Sequence, residues 1–379
     1  KEKKYSYFGD TWNYPFVVTS IFLIVSCLRH TFVTQNNLSD WNPSLSWIGL
    51  FNFIPFFWFF WAFQSHLNTN KDRENFAKIL ILGTLPLIFS VFLQWLGIFG
   101  PFTFLNGLIK WHMIETFNPP FKGIFSNQNY FALWLTLVWP FSYILILEKK
   151  KRILRIAFTT IIIALIIQTF SRNALLGLLI SLPITVGSSV LVWYVPIIIF
   201  FLLIGFFSLP FVPEKFNLIS KTIMPESIFL RFQSFHRLDI WTKALNFLFE
   251  KPLTGWGAAT FPILYELETD NYFAHSHNLF LEIALNYGLF SSIIILSTFV
   301  FLIYRSIKVL LKRKNELNFK NIFQYKFEKA WISCAIIFFI SQFFDVQYYD
   351  LRISILGWAI LSGLREIIRE RPKLIDEKT

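Results

Sequence analysis

Tyr130-Phe-Ala-Leu-Trp-Leu-Thr-Leu-Val-Trp-Pro-Phe-Ser-Tyr-Ile-Leu-Ile-Leu147 contains no charged residue, and Glu148-Lys-Lys-Lys-Arg152 follows it directly. An uncharged run of this length is close to the roughly 20 residues that carry a helix across a bilayer, and a basic flank marks the end that stays in the cytoplasm. Working outward, comparable runs are read at 15–33, 47–63, 79–99, 153–170, 174–186, 190–209, 279–304, 330–346 and 353–364. A membrane barrel would instead alternate apolar and polar residues in segments of about 10. The mean hydropathy of +0.51 and the charged fraction of 15% exclude an ordinary soluble chain of 379 residues. The expected fold is all-α, a polytopic transmembrane helix bundle of about ten crossings. No small-residue cleavage pattern follows the first run, which is therefore read as a retained helix. Cys27 and Cys334 both lie inside apolar runs, so neither a disulfide framework nor a thiolate metal site is indicated.

The formal charge of +12 is explained by topology rather than by nucleic acid. With a cytoplasmic N-terminus, ten crossings place the N-terminus, 64–78, 148–155, 305–329 and the tail on one side, and these segments hold 24 of the 35 Lys and Arg. The polar stretch 210–276 holds six Lys and Arg against seven Asp and Glu, which places it on the opposite, external side. The expected organisation is a first bundle of about seven helices over 1–209 and an external (periplasmic) loop carrying short helices over 210–276. Further transmembrane helices over 277–364 and a cytoplasmic tail over 365–379 complete it.

The external side gathers the groups able to do chemistry. Arg172 sits in the three-residue turn Ser171-Arg172-Asn173, and the run after it is short for a full crossing. An Arg at membrane depth costs at least about 2.5–3.5 kcal/mol, so it needs a partner or a watery cavity unless it snorkels to the interface. Arg237 begins a stretch in which Arg237, Trp241, Ala244, Leu245 and Leu248 share one helical face, with the guanidinium one turn from the indole. A membrane-surface helix with a solvated Arg would give the same spacing. Arg231 lies six residues earlier and can sit on the same side. His275-Ser-His277 supplies paired imidazoles, with Asn278 and Glu282 on the helix that follows. Asp270 or Glu282 could complete a zinc site, but the spacing carries no zinc signature, and no metal is expected. A histidine at the mouth of a membrane cavity suits a general base, because imidazole titrates near working pH; a helix-capping His is the plainer alternative.

The order Ser171-Arg172, a long external insert with Arg237-x-x-x-Trp241, then Pro252-x-x-Gly255-x-Gly257 and His277-Asn278-x-x-Leu281-Glu282, resembles the O-antigen ligase and polymerase superfamily. Gly123-Ile-Phe-Ser-Asn-Gln-Asn129 is similar to an Asn-containing segment of that group, and the resemblance covers roughly 120–290. It implies a metal-independent glycosyltransferase of the bacterial inner membrane that uses no cofactor. The implied donor is a polyprenyl-pyrophosphate-linked glycan, and the implied acceptor is a sugar hydroxyl of lipid A-core. The resemblance makes Arg172 and Arg237 the donor-pyrophosphate cations and His277 the base, with Arg231 a further cation candidate. His275, Asn278, Glu282 and Trp241 support them. A polymerase acting on lipid-linked repeats shares this donor chemistry. An anion transporter, bicarbonate-like, would instead place ionisable groups along a mid-membrane path.

Overall fold

The computed structural model describes residues 10–32, 41–98, 102–104, 106, 109–111, 122–125, 127–146, 152–194, 196, 199, 236–315 and 322–370. Before the long loop, α1 spans Tyr14–Phe32, α2 Ser44–Gly49, α3 Ile54–Phe63, α4 Asn70–Trp95, α5 Gln128–Ile146, α6 Arg152–Gln168 and α7 Arg172–Thr185. After it come α8 (His236–Glu250), α9 (Phe261–Thr269) and α10 (Leu279–Tyr287). The last three helices are α11 (Leu289–Asn315), α12 (Ile322–Ser341) and α13 (Leu351–Arg369). The chain is helical as expected, with one correction: β1 (Phe102–Phe104) and β2 (Ile109–Trp111) form an antiparallel hairpin that pairs Phe102 with Trp111. Aromatic and β-branched residues in the segment after α4 favour that local pairing.

Among the described residues, four stretches are long and apolar enough to cross a membrane: Thr11–Phe32, Ser44–Leu67, Asn70–Trp95 and Leu289–Lys314. Three apolar runs differ from their sequence reading, each for a local reason. Helix α4 starts inside the polar segment, because Thr69 and Asp72 form a capping box ahead of the apolar part. The second run breaks at Phe53 (φ −128°, ψ −59°), immediately before the Pro55 turn that opens α3. The run read as 279–304 splits at Gly288, whose φ of +93° ends α10 and lets α11 start as a separate helix. The run at 190–209 is described only at its start, as a 3-10 turn over Ser188–Trp193.

Helix α12 is central, in contact with α5, α7, α11 and α13. Large aromatics fill the bundle and their polar edges are satisfied, as a membrane interior requires. Trp139 donates to Ser181 Oγ at 2.9 Å and Trp331 to the Ile360 carbonyl at 2.8 Å. A second, smaller core joins α8, α9 and α10 through Ile240, Ala244, Phe247, Trp256, Phe261 and Leu285. It caps one end of the bundle. At the other end, buried and part-buried ion pairs Arg73–Glu370, Arg365–Asp10, Arg365–Glu366 and Arg313–Glu328 join the start of the chain to α4, α11, α12 and α13.

Gly288 is the joint between cap and bundle. A Cβ there would stand 2.0 Å from the Leu253 carbonyl oxygen at a φ of +93°. We expect Gly288→Ala to lower the thermal unfolding midpoint in detergent by the equivalent of about 1–3 kcal/mol. Gly83→Ala, where a Cβ meets nothing within 4 Å, should be neutral or slightly stabilising.

Candidate functional site

The capped end brings five separated segments around one carboxylate, Asp345, in the turn after α12. Asp345 is buried, and its Oδ1 accepts from the Val346 N–H at 2.9 Å. Asn129, in the first turn of α5, donates from Nδ2 to Asp345 Oδ2 at 3.3 Å and accepts from Ser171 Oγ at 2.9 Å. Ser171 is the residue from which α7 departs with Arg172 at its first position. The Asn173 side chain reaches the Ser341 carbonyl at 3.4 Å, fixing the start of α7 against the end of α12.

Two imidazoles face the carboxylate. His275 Nε2 lies 4.0 Å and His277 Nδ1 3.6 Å from Asp345 Oδ1. The two rings are edge-on, with centroids 4.3 Å apart. His275 Nδ1 accepts the His277 backbone N–H at 3.2 Å, which assigns the proton of neutral His275 to Nε2, on the Asp345 side. Burial, then the neighbouring His277 and Arg237 charges, outweigh Asp345 and push the His275 pKa down to about 4. His275 is therefore neutral at neutral pH. Burial alone would raise the Asp345 carboxyl, yet the flanking imidazoles and the Val346 N–H hold it below the usual carboxylate range. His277 Nδ1 is buried and has no hydrogen-bond partner, while its backbone holds a φ of +54° that non-glycine residues rarely adopt. The ring is therefore not used as a helix cap, and its unpaired nitrogen makes His277 a candidate for a functional role. The cap is made by Asn278, whose side chain accepts from Leu281 N at 3.1 Å.

The segment is held from below by Glu282. Its buried carboxylate accepts from Ser276 N at 2.9 Å and Ser276 Oγ at 2.8 Å, and burial raises its pKa. Trp241 of α8 donates to the Ser276 carbonyl at 3.0 Å, which docks α8 onto the same turn. One turn earlier on α8, Arg237 is half-buried. Burial and then the positive charge of Arg172 lower its pKa from the usual value, and Asp345 opposes them. A guanidinium remains charged under that pressure, so two like cations are held within electrostatic reach of each other. On α8 itself, Ala244 and Leu248 are buried and Leu245 is exposed, so the helical face read from the sequence is only partly buried. Arg231 lies outside the described residues.

Residues 156–296 match the family model described as O-antigen ligase. The match agrees with the motif order that resembles the O-antigen ligase superfamily, and it covers 156–296 of the 379 residues. No curated protein matches the chain. The matched region contains Arg172, Arg237, His275, His277, Asn278 and Glu282 and ends well before Asp345. Asp345 and Asn129 are the groups that sequence reasoning left without a role. An acid in a short turn on the same side as the polar insert was the available signal for the first.

The depressed His275 pKa has a definite sign. An unfolded chain protonates this ring near 6.5 and the folded chain only near 4, so stability falls as pH drops through that window. The effect is up to about 3 kcal/mol at its lower end. His275→Asn should flatten the unfolding midpoint between pH 6.5 and pH 4, and an unchanged slope would remove His275 as its cause.

Proposed function

We propose that this protein is a glycosyltransferase of the O-antigen ligase type. It transfers a glycan from a polyprenyl-pyrophosphate donor to a sugar hydroxyl of a lipid A-core acceptor, at the external face of the bacterial inner membrane. The observation that carries this reading is the convergence of Arg172, Arg237 and the His277–Asp345 pair at one end of the bundle. Arg172 and Arg237 act as the donor cations. Two guanidiniums forced together raise each other's need for an anion, and a diphosphate supplies it with bidentate geometry. Arg231 is carried as a further contact to that diphosphate.

In the reaction, the acceptor hydroxyl attacks the anomeric carbon and its proton passes to His277. With Nδ1 facing Asp345, Nε2 is the nitrogen left for the hydroxyl, and the 3.6 Å gap to Asp345 needs to close by only about 0.7 Å for a hydrogen bond to hold the imidazolium. The bond between the anomeric carbon and the pyrophosphate oxygen breaks, its electron pair stays on that oxygen, and the added negative charge on the leaving polyprenyl pyrophosphate is stabilised by the two arginines. His275, Asn278, Glu282 and Trp241 hold the base in place. His275, His277 and Asp345 offer ligand atoms within 4.8 Å of one another, a spacing open to a divalent cation. Two arginines beside them and a His275 ring whose Nδ1 is already an acceptor both oppose one, so the step is written without metal.

The polymerase reading keeps the same donor site and differs in its acceptor. The transporter reading is weaker, because the central turns of the described spans carry no Asp, Glu, Lys, Arg or His. The proposed topology has about ten crossings, with both termini cytoplasmic and the α8–α9 cap outside. The proposed units are a bundle over 1–209, the loop 210–276, membrane helices over 277–364 and a tail after them.

Purified protein given polyprenyl-pyrophosphate glycan and lipid A-core should form one capped product. Polymerase activity would instead yield a lengthening ladder. His277→Ala should reduce transfer by about 10²–10⁴-fold. Arg172→Ala and Arg237→Ala should reduce it by about 10²-fold or more, with Arg237→Lys intermediate. Full activity in all three Ala variants at equal protein level would end the assignment. For topology, Tyr272→Cys should react with an impermeant thiol reagent added outside intact cells and Lys312→Cys should not; the reverse pattern would invert the model.

A further inference from the structure

The face of α8 turned away from the site carries a row of exposed apolar side chains. Leu238, Leu245 and Phe249 are 57%, 43% and 75% exposed, and Leu253 just beyond the helix is 62% exposed. At about 100° per residue the three helical positions fall within an arc of about 40°. Ile240, Ala244, Phe247 and Leu248 take the opposite face into the second core. Asp239, Asn246 and Glu250 flank the row on its polar side. A helix with one face committed to a protein core has no reason to carry a second apolar row unless something covers it.

The row ends where the cap is joined to two membrane spans. The Thr254 carbonyl accepts from Ser26 Oγ at 2.5 Å, and its hydroxyl accepts from Arg29 at 2.8 Å, both from the last turns of α1. Leu289 N, which opens α11, donates to the Pro252 carbonyl at 2.8 Å. Both α1 and α11 are long and apolar enough to cross a bilayer. At this joint their own outward residues Val25, Leu28, Phe32, Phe290 and Ile293 are exposed. The lipid-facing surface of the two spans thus continues into the α8 row. Two cations stand at the same level. Lys251 Nζ lies 3.5 Å from the Trp256 ring centroid, and burial together with the Arg29 charge lowers its pKa. Basic side chains at the rim of an apolar surface sit where lipid phosphates lie.

We propose that α8 is an interfacial helix: the Leu238–Leu253 row beds into the leaflet on the side of the candidate site, and Arg29 with Lys251 takes the phosphate of a phospholipid headgroup. Arg237 directly precedes Leu238, so bedding the row sets Arg237 at headgroup depth, the level at which a membrane-anchored pyrophosphate presents itself. That consequence rests on the proposed function; the bedding does not.

The test uses the full chain in vesicles of phosphatidylethanolamine and phosphatidylglycerol, with a nitroxide attached to Phe249→Cys or Leu253→Cys. Cys27 and Cys334 are buried and stay unlabelled. Labels at Val25→Cys and Tyr272→Cys give the lipid and water references. Collisions with oxygen should exceed those with a water-soluble nickel chelate at 249 and 253, as at 25, and the order should reverse at 272. Replacing Arg29 and Lys251 together by Gln should lower the oxygen-to-nickel ratio at 253 several-fold, and Lys251→Gln alone, which leaves the Arg29–Thr254 bond in place, should lower it in the same direction. Nickel-dominated collisions at 249 and 253 would overturn the proposal, as would low collision with both reagents, which would mean a protein surface covers the row. An unchanged ratio in the double Gln variant would remove the phosphate contact. None of these readings depends on glycan transfer, so failure of the enzyme assignment remains a separate result.

Discussion

One buried carboxylate organises the capped end. Asn129 at the start of α5 donates to Asp345, and Ser171, in the turn that launches α7, donates in turn to Asn129. The two histidines reach it from the loop before α10. A buried charge without partners would cost several kcal/mol, so these contacts make the arrangement of the helix ends conditional on Asp345 being ionised and surrounded. The same charge reduces the repulsion between Arg172 and Arg237. Without it, the two guanidiniums would have reason to turn apart toward solvent.

The two ends of the bundle show how the same residue types serve different purposes. Where the chain starts, buried arginines are matched by carboxylates: Arg73 by Glu370, Arg365 by Asp10 and Glu366, Arg313 by Glu328. Such pairs close on themselves and act as fasteners. At the capped end, two arginines and two imidazoles share one carboxylate, and the imidazole at 275 is neutral at neutral pH. The local balance is positive and leaves room for an anion. An excess of one sign, held in place by burial, separates a site from a structural network more reliably than the presence of charge does.

Much of this was legible in the chain. Apolar run length points to membrane helices, and the order Arg172, Arg237, His277 names candidate residues that lie together at one end of the bundle. Asp345 was not legible as their partner, because sequence spacing says nothing about a turn between two later helices that folds back onto an earlier loop. The split at Gly288 was hidden for a different reason: apolar periodicity is blind to a backbone that must turn left-handed under the Leu253 carbonyl. The strand pair Phe102–Phe104 with Ile109–Trp111 is short and local, and a membrane-length count passes over it. Helical angle put Leu245 on one face with Ala244 and Leu248 but could not tell which of them a core would cover; the core beneath α8 takes Ile240, Ala244, Phe247 and Leu248 and leaves Leu245 exposed.

That narrow core bears on how the site meets its substrate. Helix α8 is pinned at one end by Trp241 on the Ser276 carbonyl and, just past its other end, by Trp256 on the Phe247 carbonyl. Between these pins it has little freedom to slide, so the position of Arg237 is set by the same packing that fixes the His275–His277 turn. A lipid-linked substrate arrives at a depth dictated by the bilayer, and a rigid cap can meet it only if the cap is itself referenced to the bilayer. The contacts of Thr254 with Ser26 and Arg29, and of Leu289 with Pro252, supply that reference by tying the far end of α8 to two membrane spans. One continuous set of contacts thereby links the position of Arg237 to the two apolar spans, which is what the proposed placement of α8 at the bilayer surface requires.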